Sequence, residues 1–207
     1  IVRDDLGRIT KLTERIGTTI HELAYAYDSL GRLTTASRDG IVTAYSYDAN
    51  GNRTSVQVGT QLAVAATYDA QDRIQSFGTQ VYVHSPAGNL ESHSDGARSL
   101  AFTYDELGNL TKAVANDGAS AKTIDYVIDG LGRRVARKVN GVFDKAWLYR
   151  DGLRPVSEVD SAGTFTHFVY ADSQSGAPDF LIRSGVILCV VKDHLGSVRV
   201  IVNAQSG

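Results

Sequence analysis

Tyr27-Asp28-Ser29-Leu30-Gly31-Arg32, Tyr47-Asp48-Ala49-Asn50-Gly51-Asn52 and Tyr104-Asp105-Glu106-Leu107-Gly108-Asn109 are three copies of one hexad. Relaxed copies fill the intervals. Arg3-Asp4-Asp5-Leu6-Gly7-Arg8 stands first, Tyr68-Asp69-Ala70-Gln71-Asp72-Arg73 lacks the glycine, and His84-Ser85-Pro86-Ala87-Gly88-Asn89 lacks the Tyr-Asp. Ile128-Asp129-Gly130-Leu131-Gly132-Arg133 and Lys192-Asp193-His194-Leu195-Gly196-Ser197 complete the series. The second hexad positions 4, 28, 48, 69, 85, 105 and 129 are separated by 24, 20, 21, 16, 20 and 24 residues. A self-similar unit of this length marks a repeat architecture.

Each hexad is built to reverse the chain. Its aspartate can bond the backbone two residues on, and its glycine supplies the positive φ that closes a three- to five-residue hairpin loop. The tyrosine before the turn and the Leu, Ile or Thr after it favour extended backbone. A second turn class alternates with the first. Asp39-Gly40, Asp95-Gly96, Asp117-Gly118 and Asn140-Gly141 fall between alternating apolar runs, the pattern of two-residue hairpin turns. Arg134–Val139, the turn Asn140-Gly141 and Val142–Tyr149 read as strand, turn and returning strand. The sequence therefore predicts an all-β chain of repeated antiparallel hairpins over residues 1–207, without a convincing amphipathic helix.

Composition agrees with a folded, non-fibrous chain: 43% hydrophobic, 21% charged and a net charge of −2, a balance that implies no nucleic-acid partner. Twenty glycines against three prolines suit many turns between strands that need their N–H donors. No apolar run reaches the roughly 18 residues that span a membrane as a helix. Val186-Ile187-Leu188-Cys189-Val190-Val191 is expected to be a buried strand, and Cys189, the single cysteine, a buried small hydrophobe. Methionine is absent and Ile1 opens inside the repeat pattern, so the chain reads as a piece of a longer polypeptide. Isolated, such a piece is expected to self-associate through open strand edges.

The hexads resemble the YD-repeat, or Rhs-repeat, family over essentially the whole chain. The most specific part is Asp193-His194-Leu195-Gly196-Ser197-Val198-Arg199, within residues 192–199, which is similar to a segment near the end of the repeat region in bacterial Rhs proteins and in insecticidal toxin-complex C subunits. The resemblance implies a spiralling sheet that forms part of the wall of a large hollow barrel, enclosing a C-terminal toxin until delivery. It also implies the remaining shell repeats as partners, a secretion or delivery apparatus, export to a target cell or the cell surface, and a bacterial source. Animal teneurins use a similar barrel as an extracellular adhesion scaffold. The family's autoprotease segment has no counterpart among these residues, so no catalytic residue is assigned, and no metal or cofactor is implied. The structural repeat positions are Tyr27, Asp28, Gly31, Arg32, Tyr47, Asp48, Gly51, Tyr68, Asp69, Tyr104, Asp105, Gly108, Asp129, Gly132, Arg133, Asp193, Gly196 and Arg199. Departures at Tyr68–Arg73 and His84–Asn89 call the regularity of the wall there into question.

Other chemistry is sparse. His21, His84, His93, His167 and His194 lack metal-site spacing, although His84 and His93 could face one another across a hairpin and share zinc. Ser197, His194 and Asp193 are hydrolase residue types, but a turn reading is favoured because no Gly-x-Ser-x-Gly elbow is present. Asp48-Ala49-Asn50-Gly51-Asn52 is similar to a calcium loop without the later bidentate glutamate. Alternation splits the basic cluster Arg133–Lys138 between two sheet faces. The recurrent tyrosines suit either a packed ladder between hairpins or a sugar-stacking surface, and the ladder is favoured. Two functions stand: a shell wall, and an adhesion or carbohydrate-binding scaffold acting through loops such as Ala171–Asp179.

Overall fold

Among the described residues sixteen glycines adopt positive φ, and with few exceptions they mark the places where the chain reverses. The computed structural model describes residues 1–171, 176–193 and 195–206. Between the turns lie twenty strands, and the described residues form no helix. The chain divides into two units, Ile1–Ala97 and Arg98–Gly207.

In the first unit the strands are β1 (Val2–Arg3), β2 (Ile9–Ile16), β3 (Thr19–Tyr27), β4 (Leu33–Arg38) and β5 (Ile41–Tyr47). They continue as β6 (Arg53–Val58), β7 (Val64–Tyr68), β8 (Ile74–Phe77), β9 (Gln80–His84) and β10 (Leu90–Ser94). Each strand pairs antiparallel with the next, giving an unbroken meander.

The second unit repeats the plan with β11 (Ser99–Tyr104), β12 (Leu110–Asn116), β13 (Ala121–Ile128), β14 (Arg134–Val139) and β15 (Val142–Tyr149). After these come β16 (Pro155–Asp160), β17 (Phe165–Val169), β18 (Phe180–Arg183), β19 (Val186–Lys192) and β20 (Val198–Asn203). Again every strand pairs antiparallel with its successor. The all-β hairpin fold expected from the hexads is the fold observed.

Within each unit the hexad turns lie at one end of the strands and the shorter turns at the other, because the two classes alternate along a meander. The hexads at residues 68–73 and 84–89 are as regular as the rest. Asp72 takes the glycine's place at φ +60°, a conformation that aspartate tolerates better than most residues. At the other site Ser85 replaces the aspartate, and its Oγ accepts the Asn89 N–H at 3.1 Å.

The short turns are not uniform. Asp39-Gly40 and Asn140-Gly141 have positive φ at both residues, as expected for a type I′ turn. Asp95-Gly96 and Asp117-Gly118 have it at the glycine alone. Asp117 instead caps a four-residue turn, its N–H donating to the Ser120 carbonyl and its Oδ1 accepting the N–H groups of Ala119 and Ser120.

Burial departs most from expectation. Among the described residues the buried hydrophobic side chains are Ala66, Ala113 and Val190. Val186–Val191 forms most of β19, but Ile187 and Val191 are exposed and Cys189 is only half-buried. A run of six apolar residues gives both faces of a strand an apolar character; whether anything covers them depends on layers outside the strand.

Candidate functional site

The hexad aspartate organises its turn from within. The Asp28 N–H donates to the Arg32 carbonyl at 2.9 Å, and the Gly31 N–H donates to the Asp28 carbonyl at 3.0 Å. Asp28 Oδ1 accepts the N–H groups of Leu30 and Arg32 at 3.0 and 2.8 Å, while Oδ2 accepts Arg32 Nε at 2.7 Å. The Arg32 guanidinium, helped by these backbone donors, holds the Asp28 carboxyl below the usual carboxylate range. The same set recurs at Asp4 with Arg8, Asp69 with Arg73, and Asp129 with Arg133. At Asp48 and Asp105 the amides of Asn52 and Asn109 stand where the guanidinium would be.

Arginine has a second role that asparagine is too short to fill. Arg32 Nη1 donates to the Asp48 carbonyl at 2.9 Å, and its guanidinium lies 5.0 Å from the centre of the Tyr47 ring. In the opposite direction, the Tyr47 hydroxyl donates to the Leu33 carbonyl at 2.7 Å. One turn therefore holds the next by its backbone, and is held in return. Arg8, Tyr27 and Asp28 make the same latch, with Tyr27 donating to Ile9 at 2.8 Å. Arg133, Tyr149 and Asp151 repeat it, with Tyr149 donating to Arg134 at 2.9 Å.

A bulge aims these tyrosines. The pairing register shifts between Ala26 and Tyr27, Ser46 and Tyr47, Thr67 and Tyr68, and Leu148 and Tyr149. An extra residue in the returning strand turns the local backbone, which redirects the side chain toward the neighbouring hairpin. Tyr27, Tyr47 and Tyr149 thus join neighbouring hairpins through polar and cation–π contacts. Each of the three meets an arginine and a carbonyl oxygen of the preceding repeat, and the Tyr68 hydroxyl donates to the Arg53 carbonyl at 3.0 Å.

At Asn52, where the arginine is missing, another bond takes over. Asn52 cannot span to the next turn, but Asp72, at the glycine position of that turn, accepts Asn52 Nδ2 at 2.6 Å and Asn50 Nδ2 at 2.9 Å. The short turns carry a smaller staple. Asp39 N–H donates to the Glu22 carbonyl at 2.8 Å while Asp39 Oδ1 accepts the Glu22 N–H at 2.8 Å. Asn140 and Thr123 share the same reciprocal pair.

Two turns escaped the hexad pattern. Arg150–Arg154 closes with Asp151 shifted one place along, and Arg154 lies 5.9 Å over Tyr170, whose hydroxyl donates to the Pro155 carbonyl. Asp160–Thr164 has hexad bonding at the short-turn end, with Asp160 Oδ1 accepting the Ala162 and Thr164 N–H groups. Its signal was an aspartate three residues before a glycine, without the tyrosine. Ala171 N–H donates to Asp179 Oδ2 at 2.8 Å, which brings the two ends of the Ala171–Asp179 stretch together at the hexad end. Of that stretch, residues 172–175 lie outside the described residues.

The remaining candidates resolve into structure. Asp193 Oδ1 accepts the N–H groups of Leu195 and Ser197, and Gly196 N–H donates to the Asp193 carbonyl; His194 lies outside the described residues. Arg199 is the extra residue at the β19–β20 bulge. His84 opposes Leu90, whereas His93 opposes Tyr82 and stacks on its ring at 5.4 Å, so the two histidines are not partners. Among the described residues no three metal-ligating side chains cluster. In the basic run, Arg133 pairs with Asp129, Arg134 lies 3.8 Å over Tyr126, and Arg137 pairs with Asp144.

Residues 1–207 match the Teneurin YD-shell family model. The chain is 34% identical over 201 residues to Teneurin-1 of Mus musculus, covering 94% of this chain and 7% of that protein. It is 30% identical over 152 residues to tRNA nuclease WapA of Bacillus subtilis (strain 168), covering 71% of this chain and 6% of that protein. Its fold is similar to the crystal structure of TcdB2-TccC3 without hypervariable C-terminal region, with a TM-score of 0.55 at 13% identity, over 99% of this chain and 14% of that one. The chain thus spans about 7% of the length of the teneurins it matches.

Proposed function

The chain belongs to the teneurin YD-shell family, and from that premise we propose that it is part of the wall of a hollow β-shell that encloses a C-terminal toxin or effector domain of the same polypeptide. The observation that carries this reading is the latch. The hairpins that end in Arg8, Arg32 and Arg133 hold their successors through Arg, Tyr and main-chain carbonyls as well as through the strand ladder, so the array can extend without a second layer. A wall has need of that property, because its two faces look onto solvent or cargo instead of a packed core. The mechanism is exclusion: paired strands satisfy their own backbone groups and separate the cargo from its targets. The match to a protein named as a tRNA nuclease, of which the shared region is a small part, supports a shell joined to an effector. The other repeats of the shell and a delivery apparatus are the partners of this reading, and export to the target cell or its surface follows from it.

Electron microscopy of the full-length parent protein tests the proposal. A closed particle with internal density supports enclosure, and an open rod overturns it. The second reading, an adhesion or glycan-binding scaffold, draws on the teneurin matches and on the insertion at Ala171–Asp179. Deleting that insertion should then abolish binding to a surface ligand while leaving the strands intact.

A further inference from the structure

Asn50-Gly51 and Asn140-Gly141 are the two Asn-Gly pairs of the chain, and both are exposed. Hydrogen bonding separates them. At Asn140 the Thr123 N–H donates to Oδ1 at 2.8 Å; a backbone N–H can only donate, so the atom it meets is the amide oxygen and not Nδ2. Among the described residues neither Asn140 Nδ2 nor the Gly141 N–H has a partner. At Asn50 both corresponding groups are tied. Asn50 Nδ2 donates to Asp72 Oδ1 at 2.9 Å, and the Gly51 N–H donates to the Asp48 carbonyl at 3.2 Å.

We infer that Asn140 is a site of spontaneous deamidation in the folded chain, and that Asn50 is protected from it. The Gly141 nitrogen gives its proton to a solvent base and attacks Asn140 Cγ. The Cγ–Nδ2 bond breaks, and Nδ2 leaves as ammonia. Water then opens the resulting five-membered succinimide to aspartate or isoaspartate. Three features favour the step at Asn140. The Thr123 N–H polarises the carboxamide and faces the charge that builds on Oδ1. The attacking nitrogen has no hydrogen bond to give up, and glycine has no side chain to obstruct it. The departing nitrogen is held by nothing. At Asn50 the attacking and the departing nitrogen must each lose a bond first.

The fold already accommodates the product. Asp39-Gly40 has φ of +52° and +85°, and Asn140-Gly141 has +50° and +78°. Asp39 donates its N–H to the Glu22 carbonyl and accepts the Glu22 N–H on Oδ1, each at 2.8 Å, as Asn140 does with Thr123. Aspartate at position 140 therefore keeps both turn and staple, and adds one negative charge. Isoaspartate lengthens the main chain within a two-residue turn, where the loop length fixes the register, so the two products are structurally unequal. The conversion does not depend on what the array encloses.

Incubation of the 207-residue chain in mildly alkaline buffer, with its tryptic peptides weighed over time, tests this. The peptide Val139–Lys145 should gain the mass of an amide turned to an acid about tenfold faster than Asp39–Arg53, the ratio that one hydrogen bond supplies. In urea the two rates should converge. Asp72→Gly restores the residue usual at that place in the hexad and releases Asn50 Nδ2. Conversion at Asn50 should then quicken severalfold, while that at Asn140 stays as it was. Asn140→Asp should keep the far-UV strand spectrum and the urea midpoint of the native chain. Equal rates in the folded chain, no conversion at Asn140, or a faster Asn50 would each overturn the proposal. So would a rate at Asn50 that ignores Asp72→Gly. Loss of strands in Asn140→Asp would overturn the accommodation of the product.

Discussion

Arg32 Nη1 donates to the main-chain carbonyl of Asp48 at 2.9 Å, across 16 residues of sequence and into the next turn of the same edge. A side chain of one hairpin thereby fixes the backbone of its neighbour. The adjacent ladder between β4 and β5 is not the sole connection between these hairpins, and its loss would not by itself separate their turns.

Replacing Arg32 by lysine keeps the charge and removes the fork. Lysine cannot hold the Asp28 carboxylate, cover the Tyr47 ring and reach the Asp48 carbonyl together. The expected loss is about 1–2 kcal/mol, read as a lower urea midpoint with an unchanged slope. An unchanged midpoint would show that the latch contributes nothing to stability.

Tyr47→Phe isolates the other arm. The ring stays under Arg32 while the bond from the hydroxyl to the Leu33 carbonyl is lost. A cost of about 1 kcal/mol is expected. In a double-mutant cycle with Arg32→Lys the two effects should fall short of or exceed their sum, since both residues share one contact. Simple additivity would argue that the arms act separately.

Gly51→Ala and Gly78→Ala separate backbone strain from crowding. Gly51 lies at φ +93° with open space where a Cβ would sit, so alanine meets only the left-handed backbone, at about 1 kcal/mol. Gly78 lies at φ +59°, and a Cβ there would come within 2.9 Å of Val64 Cγ1. Thermal unfolding should therefore find Gly78→Ala the more harmful of the two. The reverse order would contradict the packing of β7 against the Gly78 turn.

Acid should loosen the turns. Hydrogen bonds from the Arg32 and Arg133 side chains hold Asp28 and Asp129 below their usual value of 3.8, and Asn109 does the same for Asp105. A carboxyl depressed in the folded state stabilises the fold above its unfolded pKa, and that contribution disappears as pH falls through the folded value. Stability should be level above about pH 5 and decline below about pH 4. Asp129→Asn should flatten the decline. Urea midpoints that do not change between pH 7 and pH 3 would sink this expectation.

Local chemistry made the strands and most turns legible. Asp28 to Arg32 close upon themselves through bonds no longer than five residues, so residue types at fixed spacing suffice to recognise them. Asp160–Thr164 lacks the hexad signature because Val159 stands where the tyrosine usually precedes the aspartate, although the bonds that shape the turn use only aspartate, glycine and backbone. Asp117-Gly118 has the dipeptide of a two-residue turn, and dipeptide identity does not reveal that Asp117 caps Ser120.

From its sequence alone the chain is a meander of antiparallel hairpins with Asp-x-x-Gly turns, because alternation and turn chemistry operate within a few residues. The tertiary structure decided what the tyrosines and arginines do. Tyr47 reaches Leu33 and Arg32 reaches Asp48 only once folding has set the two hairpins side by side, and no local pattern records that approach. It also decided the exposure of Ile187 and Val191, since an apolar strand is buried by what lies over it and not by its own composition.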